Sequence, residues 1–330
     1  MKKLTIKISF LVYSLWFMSL LSGCRNQPLY KDTRILMGTF VEVTSPEERA
    51  LGIVFAEIKR LDDLLSKYKA DSEVSRLNKL GELKVSPDTF YILKKSEEFW
   101  RLSQGAFDIT VGPLVSLWGF SHKKYRVPHA LEIKEALKVV GTDKIIFNNA
   151  DNVVKFSVPG MSIDLGAIAK GYALDCAVKK LKEAGITSCL INAGGQIHAL
   201  GGKPVRQWFG FPYSQSQKFG KPWRVAVKNP RGKDFIDYLE LKDRAVATSG
   251  DYEQYFIKGA KRYSHILDPK TGYPANSGVI SVTVIAADGL TADSLATSIV
   301  VMGKEKGLSL AGKFKEVKVE IVEEKDVQNN

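Results

Sequence analysis

One stretch constrains this chain more than any other: Ser162-Ile163-Asp164-Leu165-Gly166-Ala167-Ile168-Ala169-Lys170-Gly171-Tyr172, an acid at the end of an apolar run followed by small residues that open a helix. Upstream, Val153 to Val158 alternates as a strand does, and from Tyr172 to Leu181 apolar residues recur three and four apart. The corner therefore reads as strand, turn and helix start. A new helix presents unpaired N–H groups that attract anions, and Gly166 and Gly171 remove Cβ bulk where a ligand approaches. Asp164 suits a hydroxyl or a metal shell, and Lys170 suits a phosphate. Equally, Asp164 suits a helix N-cap and the small residues suit close packing.

The rest of the chain sets the corner in an ordinary globular composition: 330 residues, 45% hydrophobic and 25% charged, enough for one large domain or two intimate ones. The formal net charge is +12, part of it from Lys2, Lys3 and Lys7. No long Lys/Arg run with interleaved aromatics accompanies that charge, so the pattern gives no nucleic-acid surface; a phosphate-bearing ligand or an anionic membrane explains it as well.

Lys2-Lys3 precede an apolar stretch from Ile8 to Leu21, shorter than the roughly 20 residues of a membrane span, which reads as an export signal. Leu21-Ser22-Gly23-Cys24 resembles the lipobox of bacterial lipoproteins, with Cys24 as the lipidated first residue. Residues 1–23 then form a lipoprotein signal peptide and 24–330 the mature domain. Arg25 follows where an aspartate is the inner-membrane retention signal in many Gram-negative bacteria, so either membrane stays open. Cys176 and Cys189 are the remaining cysteines, read as buried thiols, with a disulfide between them permitted by an oxidising compartment, and no Cys/His cluster argues for zinc.

From the N-terminal side, Ile35 to Val43 reads as one strand interrupted by Gly38. Helices are expected from about Pro46 to Leu65 and from Ser86-Pro87 to Leu102, with a polar helix or loop from Ser72 to Leu80. Ala106-Phe107-Asp108-Ile109-Thr110-Val111 reads as a tight apolar strand whose acid is a cap or a ligand. A helix from Pro128 to Val140 and a hairpin of Ile145–Phe147 with Val153–Val158 lead to the corner. Beyond it come a strand ending in Asn192-Ala193-Gly194-Gly195, an exposed excursion from Gln207 to Pro222, a β-rich last third, and helices around Thr291–Thr297 and after Lys304. No repeat appears, so the class is α+β.

Asp293 and Thr297 stand four residues apart and share a helical face. With a carbonyl from the Gly166-Ala167 turn they make an all-oxygen set suited to Mg²⁺; alternatively they are a buried pair in which Asp293 caps and Thr297 bonds backward. Of the histidines, His265 lies in a loop that Asp268-Pro269-Lys270-Thr271-Gly272 turns, where it serves as a base, a phosphate ligand or a structural residue.

Seven stretches occur in order: Leu36-Met37-Gly38-Thr39, Ala106-Phe107-Asp108-Ile109-Thr110-Val111-Gly112-Pro113, the corner from Asp164 to Tyr172, Asn192-Ala193-Gly194-Gly195, Thr248-Ser249-Gly250-Asp251-Tyr252, His265 to Gly272, and Thr291 to Thr297. That series, from Met37 to about Gly303, resembles the FAD:protein FMN transferases, the ApbE-like flavin transferases. The resemblance implies an α+β fold with a T-fold-related core. It further implies a periplasmic, often lipid-anchored enzyme that binds FAD with Mg²⁺ and moves FMN onto a Ser or Thr hydroxyl of a target protein, releasing AMP. By the matching positions, Met37, Tyr68, Ala106, Phe107, Asp108, Asp164, Lys170 and Ile266 line the FAD site, and Ala167 by its carbonyl, Asp293 and Thr297 hold the metal. His265 is the candidate catalytic residue. The expected location is the bacterial cell envelope, anchored through Cys24 and facing the periplasm or the cell exterior. Gln196 departs from the family, many of whose members carry an acid there, and Ala167 replaces a common glycine. An FAD pyrophosphatase and a flavin-binding lipoprotein without chemistry are the rival readings.

Overall fold

The computed structural model describes residues 28–204 and 220–328. The expected signal peptide, Cys24 and residues 207–219 of the expected excursion lie outside the described residues. No helix among the described residues is long and apolar enough to cross a membrane.

In chain order the elements are β1 (Tyr30–Leu36), β2 (Thr39–Ser45), α1 (Arg49–Leu65), α2 (Glu73–Leu80), β3 (Glu82–Lys84), α3 (Pro87–Leu102), α4 (Gly112–Leu117), α5 (Ala130–Leu137), β4 (Ile145–Asn148), β5 (Val153–Phe156) and α6 (Ala169–Glu183). Then follow β6 (Cys189–Ala193), β7 (Gln196–Leu200), β8 (Trp223–Lys228), β9 (Phe235–Leu241), β10 (Arg244–Gly250), β11 (Tyr255–Lys258), β12 (Lys261–Ser264), β13 (Val279–Ala286), α7 (Gly289–Met302), α8 (Lys304–Ala311), β14 (Lys318–Glu323) and α9 (Glu324–Gln328). Helices and strands are mixed along the chain and the main sheet is antiparallel, so the class is α+β.

Seven strands make that sheet in the order β1-β2-β6-β7-β10-β13-β14. Helices α1, α6 and α7 pack together over it, and the core between them runs from Val41, Ile58 and Leu61 to Val282, Leu295 and Ile299. Truncating a fully buried side chain such as Leu295 to alanine costs about 2–5 kcal/mol. The β8–β9 hairpin closes a smaller core with Ile197, Ala199 and Val246. A third cluster gathers Leu114, Trp118 and Ile133 from α4, the turn after it and α5 against Leu267, with Trp118 Nε1 donating to the Gly272 carbonyl at 2.8 Å.

Two local expectations are corrected. Ile35 to Val43 is a hairpin: Met37 and Gly38 take φ of 51° and 72°, the left-handed pair of a tight two-residue turn, and β1 folds back on β2 with Leu36 opposite Thr39. The segment after Ala106 is no strand. Asp108 Oδ1 accepts the Thr110 N–H at 2.7 Å and opens a 3₁₀ turn, Ile109–Val111, from which Pro113 starts α4. Local capping there overrides an apolar pattern too short to fix its own conformation. The β11–β12 hairpin is an addition the sequence reading did not contain.

Candidate functional site

Residues 161–165 run extended into the corner with Met161, Ile163 and Leu165 buried and Ser162 and Asp164 turned the other way, the period of two that extended chain imposes. No strand among the described residues pairs with them. Instead Asn78 takes the place of a neighbouring strand, accepting the Ile163 N–H at 2.7 Å and donating to its carbonyl at 3.0 Å, while the Asp164 N–H reaches Ile109 O at 2.7 Å. The last of these bonds ties the corner to the segment after Ala106.

Asp164 does not cap α6. Its Oδ1 accepts the Gly166 N–H at 2.9 Å, and its Oδ2 meets Lys67 Nζ at 2.6 Å in a pair that is mostly withdrawn from solvent. Burial works against the ammonium of Lys67, yet Asp164 beside it holds its pKa above the usual lysine range. Lys67 also donates to Ser121 Oγ at 3.1 Å and lies over the exposed ring of Tyr68, 5.0 Å from its centroid. Lys170, in the first turn of α6, donates to Gly166 O at 3.1 Å and has no carboxylate partner among the described residues. A cation at a helix N-terminus is placed against the helix dipole, an arrangement an incoming anion relieves.

Asp293 is the anomaly of α7. This helix is buried on nearly all sides, Asp288 provides its N-cap, and Asp293 sits in its middle at 1% exposure. Burial pushes the Asp293 carboxyl above the usual carboxylate range, against the pull of Lys170 and of a backbone donor. That donor is the Gly171 N–H, bonded to Oδ2 at 3.0 Å, and Gln196 Nε2 donates to Oδ1 at 2.9 Å. Asp293 thereby takes the N–H that a regular turn would give to Ala167, whose carbonyl keeps no backbone donor among the described residues. Thr297, one turn on, does not bond backward; its hydroxyl meets Ser249 Oγ at 3.2 Å. A buried carboxylate, an orphaned carbonyl and a hydroxyl are hard oxygen donors, and the residues present fit Mg²⁺. No cluster of three His, Cys, Asp or Glu residues exists among the described residues, so a cation here needs oxygens from its ligand and from water.

Gly171 serves a different purpose from the expected one. A Cβ there would stand 2.1 Å from Gly289 O, so its bareness lets α6 and α7 touch backbone to backbone.

His265 is half-buried, with Nδ1 3.1 Å from Gln254 O and its ring 6.5 Å from that of Phe120. A carbonyl only accepts, so Nδ1 carries the hydrogen and Nε2 presents a lone pair. Desolvation, reinforced by Lys170, lowers the imidazole pKa to about 4. The ring is therefore neutral at neutral pH.

The other expected residues are placed more indirectly. Met37 forms the β1–β2 turn, which Gly194 N joins to the Gln196 strand through Phe40 O at 3.0 Å. Ala106 and Phe107 are buried, the ring of Phe107 packed in the core 5.8 Å from Phe99. The Asp108 carboxylate is spent within the protein on Thr110 and Thr142, each of which donates both its N–H and its hydroxyl. Burial raises its pKa against these bonds. Ile266 is buried behind His265, its carbonyl accepting Ala275 N at 2.8 Å. Lys67 and Ser249 escaped the sequence reading. Ser249 stood inside a quoted motif without a role, and nothing in sequence links Lys67 to an acid 97 residues away.

The ApbE family model matches residues 37–321. The FAD:protein FMN transferase of Vibrio cholerae is 35% identical over 261 residues, 77% of this chain and 73% of its own. That of Treponema pallidum is 33% identical over 304 residues, 86% of this chain and 82% of its own. Among solved structures, the ApbE protein of Thermotoga maritima matches with a TM-score of 0.79 at 38% identity, covering 90% of this chain and 95% of that one. The flavin transferase ApbE of Vibrio cholerae matches with a TM-score of 0.76 at 30% identity, covering 90% and 94%. On sequence and on fold, the chain belongs to the ApbE family, the family of these flavin transferases.

Proposed function

We propose that this chain is a Mg²⁺-dependent FAD:protein FMN transferase that moves the FMN half of FAD to a Ser or Thr hydroxyl of an acceptor protein. The acceptor oxygen forms a bond to the FMN phosphorus, the pyrophosphate P–O bond breaks, and AMP leaves. The observation that carries this reading is Asp293, a buried carboxylate that takes the Gly171 N–H and leaves the Ala167 carbonyl with no backbone donor among the described residues. Asp293, the Ala167 carbonyl and Thr297 would hold Mg²⁺, which supplies charge neutralisation to the pyrophosphate. Lys170 and the open first turn of α6 attract the phosphates. Lys67 pairs with Asp164 and fixes it for contact with FAD, and Tyr68 offers an exposed ring for stacking. His265, neutral with its Nε2 lone pair available, takes the hydroxyl proton as the new bond forms.

We place the enzyme in the bacterial cell envelope, lipid-anchored, on the strength of Leu21-Ser22-Gly23-Cys24. Cys24→Ala should release it from the membrane fraction of its host; retention with unchanged mass refutes the anchor.

The activity test incubates host envelope proteins with wild type, FAD and a Mg²⁺ titration, following AMP release and the mass of Ser- and Thr-containing peptides. Wild type should add FMN to a hydroxyl and release AMP only with Mg²⁺. Asp293→Ala should lose about 10²-fold or more in rate and Thr297→Ala less. AMP release without an FMN adduct makes the chain an FAD pyrophosphatase, and FAD binding with neither product makes it a carrier.

A further inference from the structure

A groove of about 740 Å³ reaches Ser264, the residue before His265. One wall is Ala260 to Ser264, and the other is Tyr273 to Ile280. No residue of β11 lines it, so it runs along the side of β12 that faces away from its hairpin partner.

The phase of the hairpin decides what that side offers. Gly259 and Ala260 take φ of 56° and 61°, a two-residue turn, which makes Lys258 and Lys261 a hydrogen-bonded pair. Pairing then alternates: Phe256 with Tyr263 is bonded, Ile257 with Arg262 and Tyr255 with Ser264 are not. The His265 N–H to Gln254 O bond at 2.9 Å continues the same phase. The amide and carbonyl of Arg262 and Ser264 therefore point into the groove, and among the described residues they have no backbone partner. This is an open strand edge with room beside it.

One wall and one rim residue lead toward the site. Ser264 immediately precedes His265, and Asp251, at the groove's rim, follows two residues after the Ser249 that meets Thr297. The Asp251 carboxylate is closed by a bidentate pair with Arg231 at 2.7 Å, so the rim is held firm. Asn276, exposed on the opposite wall, has a side-chain amide with no hydrogen-bond partner among the described residues.

We propose that the groove holds an extended segment of the acceptor polypeptide, added as a third strand beside β12, with its Ser or Thr at the His265 end. The proposal rests on the transferase reading. Main-chain bonds supply affinity without demanding a sequence, and register along β12 selects which hydroxyl reaches the phosphorus.

The probe is the host peptide found to carry FMN in the activity test, synthesised unmodified and with each amide N-methylated in turn. With wild-type protein, methylation should raise KM about tenfold at every second residue and little between, the loss expected for one or two edge hydrogen bonds. Arg262→Pro removes one outward N–H without breaking the ladder to β11; against Arg262→Ala, which loses the same guanidinium contacts with Asp251 and Tyr255 but keeps the N–H, it should raise the peptide KM about tenfold while the FAD Kd and the rate at saturating peptide hold. Uniform tolerance of N-methylation, or a KM in Arg262→Pro no higher than in Arg262→Ala, overturns the groove while leaving the transferase intact. Self-association of wild type that Arg262→Pro abolishes assigns the edge to a second copy of the chain and overturns it too. Absence of any FMN adduct refutes the transferase reading and the groove with it.

Discussion

Gln196 donates its side-chain amide to one oxygen of Asp293 at 2.9 Å, while the other oxygen takes the Gly171 N–H. The carboxylate is thus satisfied by neutral donors. Replacing Gln196 by Glu would set two carboxylates within hydrogen-bond distance in a buried site. The variant should unfold with about 2 kcal/mol or more less stability in EDTA, and Mg²⁺ should restore more stability to it than to wild type. Urea unfolding with and without Mg²⁺ measures both; equal metal responses contradict the placement of the cation at Asp293.

The Lys67–Asp164 pair predicts a linked loss. Asp164→Asn keeps an oxygen for the Gly166 N–H but abandons the ammonium, and should cost about 1–3 kcal/mol in stability together with a drop in FAD affinity. The pKa of Lys67 is raised in the folded protein, so its stabilising share is complete below the unfolded value near 10.4 and disappears as pH climbs through the folded one. Lys67→Met should flatten that alkaline part of the stability profile. An unaltered profile means the pair contributes nothing.

For His265 the sign is opposite. Its pKa falls from 6.5 to about 4 on folding, so the favourable share is present above 6.5 and is lost as pH drops through about 4. As a base it is competent across neutral pH, and the acid limb it imposes on turnover should fall near 4. His265→Ala should reduce the rate about 10²–10⁴-fold with FAD affinity retained. An imidazole resonance titrating near 6.5 in the folded protein contradicts the environment described.

The sequence made the elements with strong apolar patterns plain: α1, α3, α6 and the inner strands β10 and β13. It misjudged Ile35–Val43 and the stretch after Ala106, where short apolar runs follow a turn pair and a cap that act on two or three residues. Within the candidate site, Asp293 and Thr297 were legible as a pair by their four-residue spacing in a helical pattern. The site was illegible where partners meet through tertiary packing alone. Lys67 sits at the end of an amphipathic helix like any solvated lysine, and the outward edge of β12 exists only once its hairpin phase is known.

Cys176 and Cys189 are free, and burial pushes their thiols up to about 11 and about 12. Their thiolates are scarce at pH 8 and Cys189 is inaccessible. Ellman's reagent should label Cys176 and Cys189 in the native protein about a hundredfold more slowly than in the unfolded protein. Rapid labelling of Cys189 without unfolding would mean that the core opens locally.

Gly171 and Gly289 meet where any Cβ would collide with the opposite carbonyl, at 2.1 Å from one side and 2.6 Å from the other. Bare main chain is a hard stop, with no rotamer to absorb an error, so the gap between α6 and α7 is gauged by atoms that cannot move independently of the helices. Asp293 reaches the Gly171 N–H only at that gauge. Enlarging either glycine would pull the carboxylate off its donor and return the N–H to Ala167, closing the carbonyl again. The site can thus be dismantled from two positions that carry no functional group of their own.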